Sequence, residues 1–222
     1  MFTGFSRETF DFLLGIRFNN NREWFMEHKQ AYLDQVQKPL NELANEVWKT
    51  MTGKYEPDVH CHVAKIYKDA RYSHPEGMYR DRLWFSLRKD CDDWTATPVF
   101  FFELEPGGYT FGMGYYSAPA QTMRSFRRRI DEKPEEFSKI AQELSNQGTF
   151  SLYGDFYKRS KGEKPEPIAQ WYNRKNLGLI AERGVGEELF SDRIIEILCD
   201  GFRQLLPLYR FLWSLEGRPS PS

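Results

Sequence analysis

The sequence is poor in cysteine: its 222 residues include three, and no two of these form a Cys-x-x-Cys pair. An odd number of widely spaced cysteines predicts thiols rather than a disulfide framework, and therefore a reducing compartment such as the cytoplasm. Long apolar runs are also missing, since stretches such as residues 99–102 are far too short to span a membrane. The N-terminus shows no signal-peptide pattern. We therefore expect a cytoplasmic protein without a membrane partner.

Excess charge and catalytic motifs are missing as well. The 31 basic and 32 acidic residues give a formal net charge of −1, so no overall field favours nucleic acid as a partner. There is no P-loop, no Gly-x-Ser-x-Gly elbow and no dinucleotide fingerprint. In the tripeptide His60-Cys61-His62, strand alternation would turn Cys61 away from both histidines, and no second ligand group follows. The sequence thus predicts neither a metal nor a cofactor.

The pattern that is present predicts a single α+β domain over residues 1–222, with a frayed tail at about 217–222. Helical periodicity dominates the first 54 residues and returns after Pro119. Between them, from about residue 60 to 117, apolar residues alternate with a period of two. This predicts an antiparallel sheet whose apolar face is packed by N- and C-terminal helices and whose other face is polar and aromatic.

The glycines Gly112 and Gly114 lie two apart in the last strand of this predicted sheet. They remove side chains from one strand face, which indicates either close approach of a ligand or backbone, or a bulge or tight helix packing. Both alternatives stay open at the level of sequence.

Residues 65–88 carry six Lys or Arg and three acidic residues, so positive charge is concentrated locally in a chain that is nearly neutral. This pattern predicts a cationic and aromatic sheet face that binds an anionic, phosphate-containing ligand. The predicted ligand contacts, including one from a later helix, are Lys65, Lys68, Arg71, Tyr79, Arg80, Arg82, Trp84 and Arg127. The alternative is a ladder of ion pairs on a solvated sheet, in which exposed pairs contribute little.

Arg127 falls beside the apolar stripe of its predicted helix, four residues after Met123. A cation at such a position requires a partner, because an unpaired buried charge is unfavourable. We expect that partner to be Asp69, Glu103 or a bound anion.

Several segments resemble a widespread microbial family of conserved hypothetical proteins, known as domain of unknown function 2461. The similarity runs through most of the first 140 residues. It rests on Phe5-Ser6 with Asn19-Asn20 and Trp24-Phe25, on Ile66-Tyr-Lys-Asp-Ala-Arg-Tyr-Ser with Met78-Tyr-Arg, on Glu103-Leu-Glu-Pro-Gly-Gly with Gly112-Met-Gly-Tyr-Tyr, and on Arg127-Arg-Arg-Ile.

Two positions depart from the family pattern. Lys68 stands where the family has Arg, and Met78 stands where it has Pro. Lysine keeps the positive charge but lacks the planar fork that binds a carboxylate or phosphate with two parallel hydrogen bonds. The resemblance implies candidate positions but no activity, because the family has no established one.

Two further functions stay open. The first is a hydrolase-type enzyme, with Asp69 or Glu103 as general base and Arg71 or Arg127 stabilising developing negative charge. The second is a protein-interaction scaffold that uses the Lys- and Arg-rich residues 155–176. The sequence does not decide between them, and it leaves the oligomeric state open.

Overall fold

The structure, a computed structural model, describes residues 1–215. It is an α+β fold with a six-stranded antiparallel sheet and flanking helices, which confirms the predicted class. The tail predicted to be frayed, residues 217–222, lies outside the described residues.

The helices begin where the sequence supplies capping or proline signals. The Asn21 side chain accepts a hydrogen bond from the Trp24 backbone N–H at 2.9 Å, and Pro134 occupies the first turn of a later helix. The α-helices are α1 (Arg7–Phe18), α2 (Arg22–Glu27), α3 (Lys29–Ala31), α4 (Lys38–Lys54), α5 (Ala120–Glu132), α6 (Pro134–Gln147), α7 (Ala169–Tyr172) and α8 (Arg193–Ser214). A π-helix, Tyr32–Gln37, joins α3 to α4, and short 3-10 helices occur at Trp94–Ala96 and Glu187–Phe190.

None of the helices formed by residues 1–215 is both long and apolar enough to cross a membrane.

The strands are β1 (His60–Val63), β2 (Leu83–Arg88), β3 (Pro98–Glu105), β4 (Gly108–Tyr115), β5 (Ser151–Tyr153) and β6 (Gly178–Gly184). Their order across the sheet is β1-β2-β3-β4-β6-β5. The predicted limits of the sheet, residues 60–117, are therefore too narrow. The three-residue β5, which pairs Ser151 with Ile180, is too short to show a period of two.

The predicted cationic sheet face also differs from the observed structure. β1 ends at Val63, so Lys65, Lys68 and Arg71, which the pattern assigns to that face, lie beyond the strand. Between β1 and β2 the chain forms an isolated antiparallel bridge, between Tyr67 and Tyr79, with a few backbone and side-chain hydrogen bonds around it. These contacts impose no strand period, so the sequence does not reveal them.

The described chain groups into two compact units. The first consists of Met1–Leu87, Phe101–Phe111 and Glu182–Cys199, and the second of Arg88–Phe100, Gly112–Ala181 and the chain from Asp200. Whether the chain is one domain, as the sequence suggests, stays a prediction.

Aromatic side chains form the core of the first unit. Phe102 stacks on Phe85 with ring centroids 5.4 Å apart and on Phe5 at 6.5 Å, and Phe85 and Phe102 are fully buried. Because strand residues alternate between faces, Trp84 and Glu103 point to the opposite side of the sheet.

The core of the second unit is equally aromatic. Phe100 lies 4.6 Å from Tyr209 and 5.2 Å from Phe202, both in α8. Phe126 of α5 meets Phe137 of α6 edge-on at 5.0 Å.

Gly112 and Gly114 are explained by the approach of a neighbouring backbone. A Cβ at Gly114 would lie 2.6 Å from Gly178 Cα, and one at Gly112 would overlap the Leu179 carbonyl oxygen. Of the alternatives open from the sequence, the structure thus supports close backbone approach, here by β6.

We expect Gly114→Ala to destabilise the protein by about 1–3 kcal/mol, since the added methyl has to displace backbone. Urea unfolding measures this. Gly53→Ala is the matched control: that glycine lies inside α4 with no atom within 4 Å of the added carbon. It should stabilise by about 0.5 kcal/mol through helix propensity. Equal effects of the two substitutions would contradict the close approach.

Candidate functional site

The candidate site is built on the segment between β1 and β2. Its two arms pair through hydrogen bonds from the Arg80 N–H to the Ile66 carbonyl at 2.7 Å and from the Lys68 N–H to the Met78 carbonyl at 2.8 Å. The turn between the arms is closed by the Asp69 carbonyl, which bonds to His74 Nε2 at 2.7 Å. The chain therefore doubles back, and residues 64–68 lie beside residues 78–84.

Asn20 fixes this segment to the N-terminal helices. Its side-chain amide donates to the Tyr79 carbonyl at 2.8 Å and accepts from the Tyr79 N–H at 2.9 Å. The close approach of Asn20 requires glycine at position 77, because a Cβ there would overlap the Asn20 side chain. Gly77 also has a φ of +106°, which favours glycine. Asn20 thus acts as a short strand partner for Tyr79.

A surface cavity of about 440 Å³ lies on this segment, entirely within the first unit. Its lining residues are Lys68, Asp69, Tyr72, His74, Arg80, Asp81, Arg82, Trp84 and Glu103. The volume falls in the range of about 300–1,000 Å³ that is usual for small-molecule sites. The cavity thus collects basic, acidic and aromatic side chains that the sequence separates.

Arg80 is the most constrained cation of the cavity. Its guanidinium donates to the carbonyl of Tyr67 and, at 3.2 Å, to that of Lys65. It also lies 5.0 Å from the ring centroid of Trp84, at cation–π distance. Burial lowers the pKa of this guanidinium, opposed by the nearby Asp69 carboxylate. Arginine stays protonated even so, and Arg80 keeps a positive charge on the wall.

The acids of the wall each have a basic partner. The Arg71 guanidinium binds Asp69 with its Nη2 2.5 Å from Oδ2, and Arg17 Nε lies 2.5 Å from Asp81 Oδ2. Arg82 lies 3.6 Å from Glu103. Arg71 and Arg17 are not among the residues that line the cavity. They neutralise wall carboxylates from outside it.

The pKa values of the two candidate general bases are shifted in opposite directions, by hydrogen bonds at Asp69 and by burial at Glu103. The hydrogen bonds from Arg71 hold the pKa of Asp69 at about 2, below its usual 3.8. Burial raises the pKa of Glu103, with Arg82 opposing the rise and the charge of Glu105 adding to it. Glu103 is therefore the better proton carrier, and Asp69 stays ionised.

Lys68 has a different environment. It is half-buried on the cavity wall, and within residues 1–215 its ammonium group forms no ion pair or hydrogen bond with the protein. A lysine in this state can give its three donors to a ligand.

Six of the predicted site residues share this cavity, including both candidate bases. Four predicted ligand contacts do not line it. The Arg71 side chain is 81% exposed and held by Asp69, Tyr79 is buried against Phe25 at 4.3 Å, and Lys65 lines a different cavity.

Arg127 is the fourth of these. Two of its predicted partners, Asp69 and Glu103, are paired with Arg71 and Arg82 instead. Arg127 belongs to the second unit, where its guanidinium lies 5.1 Å from the Tyr157 ring centroid, at a distance at which an aromatic face attracts a cation. The third predicted partner, a bound anion, stays a prediction.

Other lining residues are not among the predicted site residues. Tyr72 and Asp81 lie in a segment without strand periodicity, which leaves the direction of their side chains open, and His74, in the same segment, is only a weak candidate for an anion contact from the sequence. Asn20, which holds this segment, is marked in the sequence only by the Asn19-Asn20 pair of the family resemblance.

A set of side chains that could bind a metal ion is not found among residues 1–215. Within the described part of the chain, no three His, Cys, Asp or Glu side chains come together in a way that could hold a metal ion. Cys61 lies 3.8 Å from the Ala44 carbonyl, and burial raises the pKa of its thiol to about 11. It is thus a protonated thiol at neutral pH.

Fold and cavity together define an α+β protein with a charged cavity beside an antiparallel sheet. The chain belongs to the family of conserved hypothetical proteins designated DUF2461, which matches residues 8–211. The resemblance seen in the sequence is thereby confirmed. A search of curated proteins finds no match.

The Asp69–Arg71 pair gives a prediction for pH titration. The Asp69 carboxyl should titrate near pH 2 by NMR, and in Arg71→Ala it should titrate close to 3.8. Because the folded-state pKa is lowered, the stability that this pair contributes is present above about pH 4 and is lost as the pH falls through about 2. Asp93 serves as internal control, since the lowered pKa of its carboxyl comes from Thr95. An unchanged Asp69 midpoint in Arg71→Ala would contradict the assignment.

Glu103 gives a second titration prediction. Its midpoint should lie above 4.5 and should rise further in Arg82→Gln, because Arg82 is the main group that stabilises the carboxylate. Arg71→Ala is the control and should leave the Glu103 midpoint in place. A midpoint at or below 4.5 in the unmodified protein would mean that Arg82 lowers the pKa of Glu103 at least as much as burial raises it. Glu103 would then not be suited to act as a proton carrier.

Proposed function

We propose that the 440 Å³ cavity binds a small ligand that carries a phosphate or similar anionic group. The observation that carries the proposal is the meeting of Lys68, Arg80, Arg82 and Trp84 in one cavity wall. These are the residue types that recognise phosphate and stack on planar groups.

The pairing of the wall charges supports an anion over a cation. Lining cations and lining acids are equal in number, three of each. All three acids, however, are already bound to arginines, and two of those arginines lie outside the lining. Lys68 and Arg80 thus remain as wall cations without a carboxylate in ion-pair contact among residues 1–215.

The two cations are suited to different tasks. The Arg80 guanidinium donates hydrogen bonds to two backbone carbonyls and lies against Trp84, so its positive charge is held in a fixed position. Lys68 has its ammonium group available and can adjust to the ligand. We therefore assign the direct ionic contact to Lys68 and a longer-range electrostatic contribution to Arg80.

The aromatic side chains at the cavity can pack against a planar or ring-shaped part of a ligand. Tyr72 is 67% exposed at the cavity, while the Trp84 ring is half-buried and carries Arg80. A sugar phosphate or a nucleotide combines such a ring with a phosphate. The near-zero net charge of the chain disfavours long nucleic acids by comparison.

An enzyme that uses the same cavity is the second candidate. The observation in its favour is the raised pKa of Glu103, a carboxyl group that lines the cavity. In that role Glu103 would transfer a proton and Lys68 would stabilise negative charge on the substrate. Asp69 is unsuitable as a base because Arg71 stabilises its ionised form.

We also propose that the protein works in a reducing compartment such as the cytoplasm. Cys61, Cys91 and Cys199 are all thiols in the structure, in agreement with the expectation from their spacing.

The test is a thermal-shift screen against inorganic phosphate, sugar phosphates, nucleotides and short oligonucleotides, followed by calorimetry of each hit. A ligand at 100 times its dissociation constant should stabilise the fold by about 2.7 kcal/mol. Lys68→Gln should weaken binding at least about tenfold, since a hydrogen bond to a charged group contributes roughly 1.5–3 kcal/mol.

Lys38→Gln is the control, because this exposed lysine lines neither this cavity nor the one that contains Lys65. An equal loss of affinity in the two variants, or no stabilisation by any phosphate compound, would contradict the proposal.

A further inference from the structure

A second cavity, of about 330 Å³, lies in the first unit and is lined by an adjacent part of the same chain segment, residues 65–67. Its floor is apolar and aromatic. Phe25, Tyr32 and Ile66 are buried residues of the lining, and Phe25 packs in one cluster with Tyr79, whose ring centroid lies 4.3 Å away, and Tyr67, at 5.7 Å. Tyr67 itself is 52% exposed at the opening. The floor can thus accept a flat apolar group.

The basic residues of this cavity are Lys29 and Lys65, and both are exposed. No acidic residue belongs to the lining. Within the described part of the chain neither lysine forms an ion pair, and neither side chain forms a hydrogen bond with the protein. Positive charge is therefore uncompensated here, in contrast to the first cavity, where arginines are bound to acids.

The π-helix contributes one wall. Leu33 and Gln37, four residues apart, both line the cavity, and the wider turn is marked by the hydrogen bond from the Lys38 N–H to the Leu33 carbonyl. Single-turn π-helices are frequent at functional sites. Gln37 adds a neutral donor and acceptor to the lining.

We propose that this second cavity binds an organic anion, with a ring-sized apolar body on the floor of Phe25 and Tyr32 and its anionic head group between Lys29 and Lys65. Inorganic phosphate would gain nothing from the aromatic floor, and an uncharged ring would gain nothing from the lysines. The site therefore requires both parts in one molecule. Carboxylate and phosphate head groups share this chemistry, and the experiment separates them.

The experiment uses the full chain and three probes: naphthalene-1-carboxylate, 1-naphthyl phosphate and the neutral naphthalene-1-carboxamide. Two-dimensional amide NMR gives both the location and the dissociation constant. We expect the two anions to shift the amide signals of Leu33, Gln37, Ile66 and Tyr67, and the carboxamide to bind at least about threefold more weakly. The tighter of the two anions identifies the preferred head group.

Lys29→Gln and Lys65→Gln should each weaken the anions about three- to fivefold and leave the carboxamide unchanged, since each exposed ionic contact is modest. Lys38→Gln is the control: this exposed lysine follows the π-helix but is not part of the lining. All three substitutions are at exposed positions, so the fold should persist, and unchanged amide spectra of the unliganded variants establish this.

Three results would overturn the inference: no shifts at these amides, equal binding of the carboxamide and the anions, or the same affinity in Lys29→Gln, Lys65→Gln and Lys38→Gln. Lys68→Gln separates this site from the first cavity, because it should leave naphthalene-1-carboxylate binding intact. A failure of phosphate binding in the first cavity would therefore not count against anion binding in the second. A failure of binding in the second cavity would likewise not count against the first.

Discussion

The Arg80 guanidinium holds together the segment on which both cavities depend. It donates to the carbonyls of Tyr67 and Lys65 and lies over the Trp84 ring, so it joins the end of one arm to β2. Lys68 and Asp69 of this segment line the first cavity, and Lys65 and Tyr67 line the second. A neutral residue at position 80 would leave these carbonyls without donors and would remove the fixed charge of the first cavity.

Pairing of the acids determines what each cavity can attract. In the first cavity, arginines outside the lining bind Asp69 and Asp81, so wall acids do not repel an anion as strongly as their number suggests. In the second cavity there is no acid in the lining to neutralise. On the proposed functions, the first cavity would select its ligand by hydrogen-bond geometry among charged groups. The second cavity would select its ligand by the combination of an apolar floor with lysines that form no ion pair among residues 1–215.

The regular parts of the fold can be predicted from the sequence, and the irregular ones cannot. A buried strand imposes a period of two, which is why alternation predicts a sheet that contains β3 and why Phe85 is buried while its neighbour Trp84 is half-buried. The segment after Val63 has no such period, and long-range contacts of Asn20 and Arg80 contribute to its shape. The charge cluster indicated the segment that contributes to both cavities, but the division of Lys65 and Lys68 between them required coordinates.

The difference between core and site is also a difference in what stabilises each. Phe102 and its aromatic neighbours are buried, and their packing resists local opening. The segment of the cavities rests on one isolated bridge and a few backbone and side-chain hydrogen bonds, with Tyr72 exposed at its turn. Such segments open at lower free energy than core strands, which lets a ligand reorder them. Because Asn20 ties this segment to the N-terminal helices, a ligand that rigidifies it would also stabilise the contact between them.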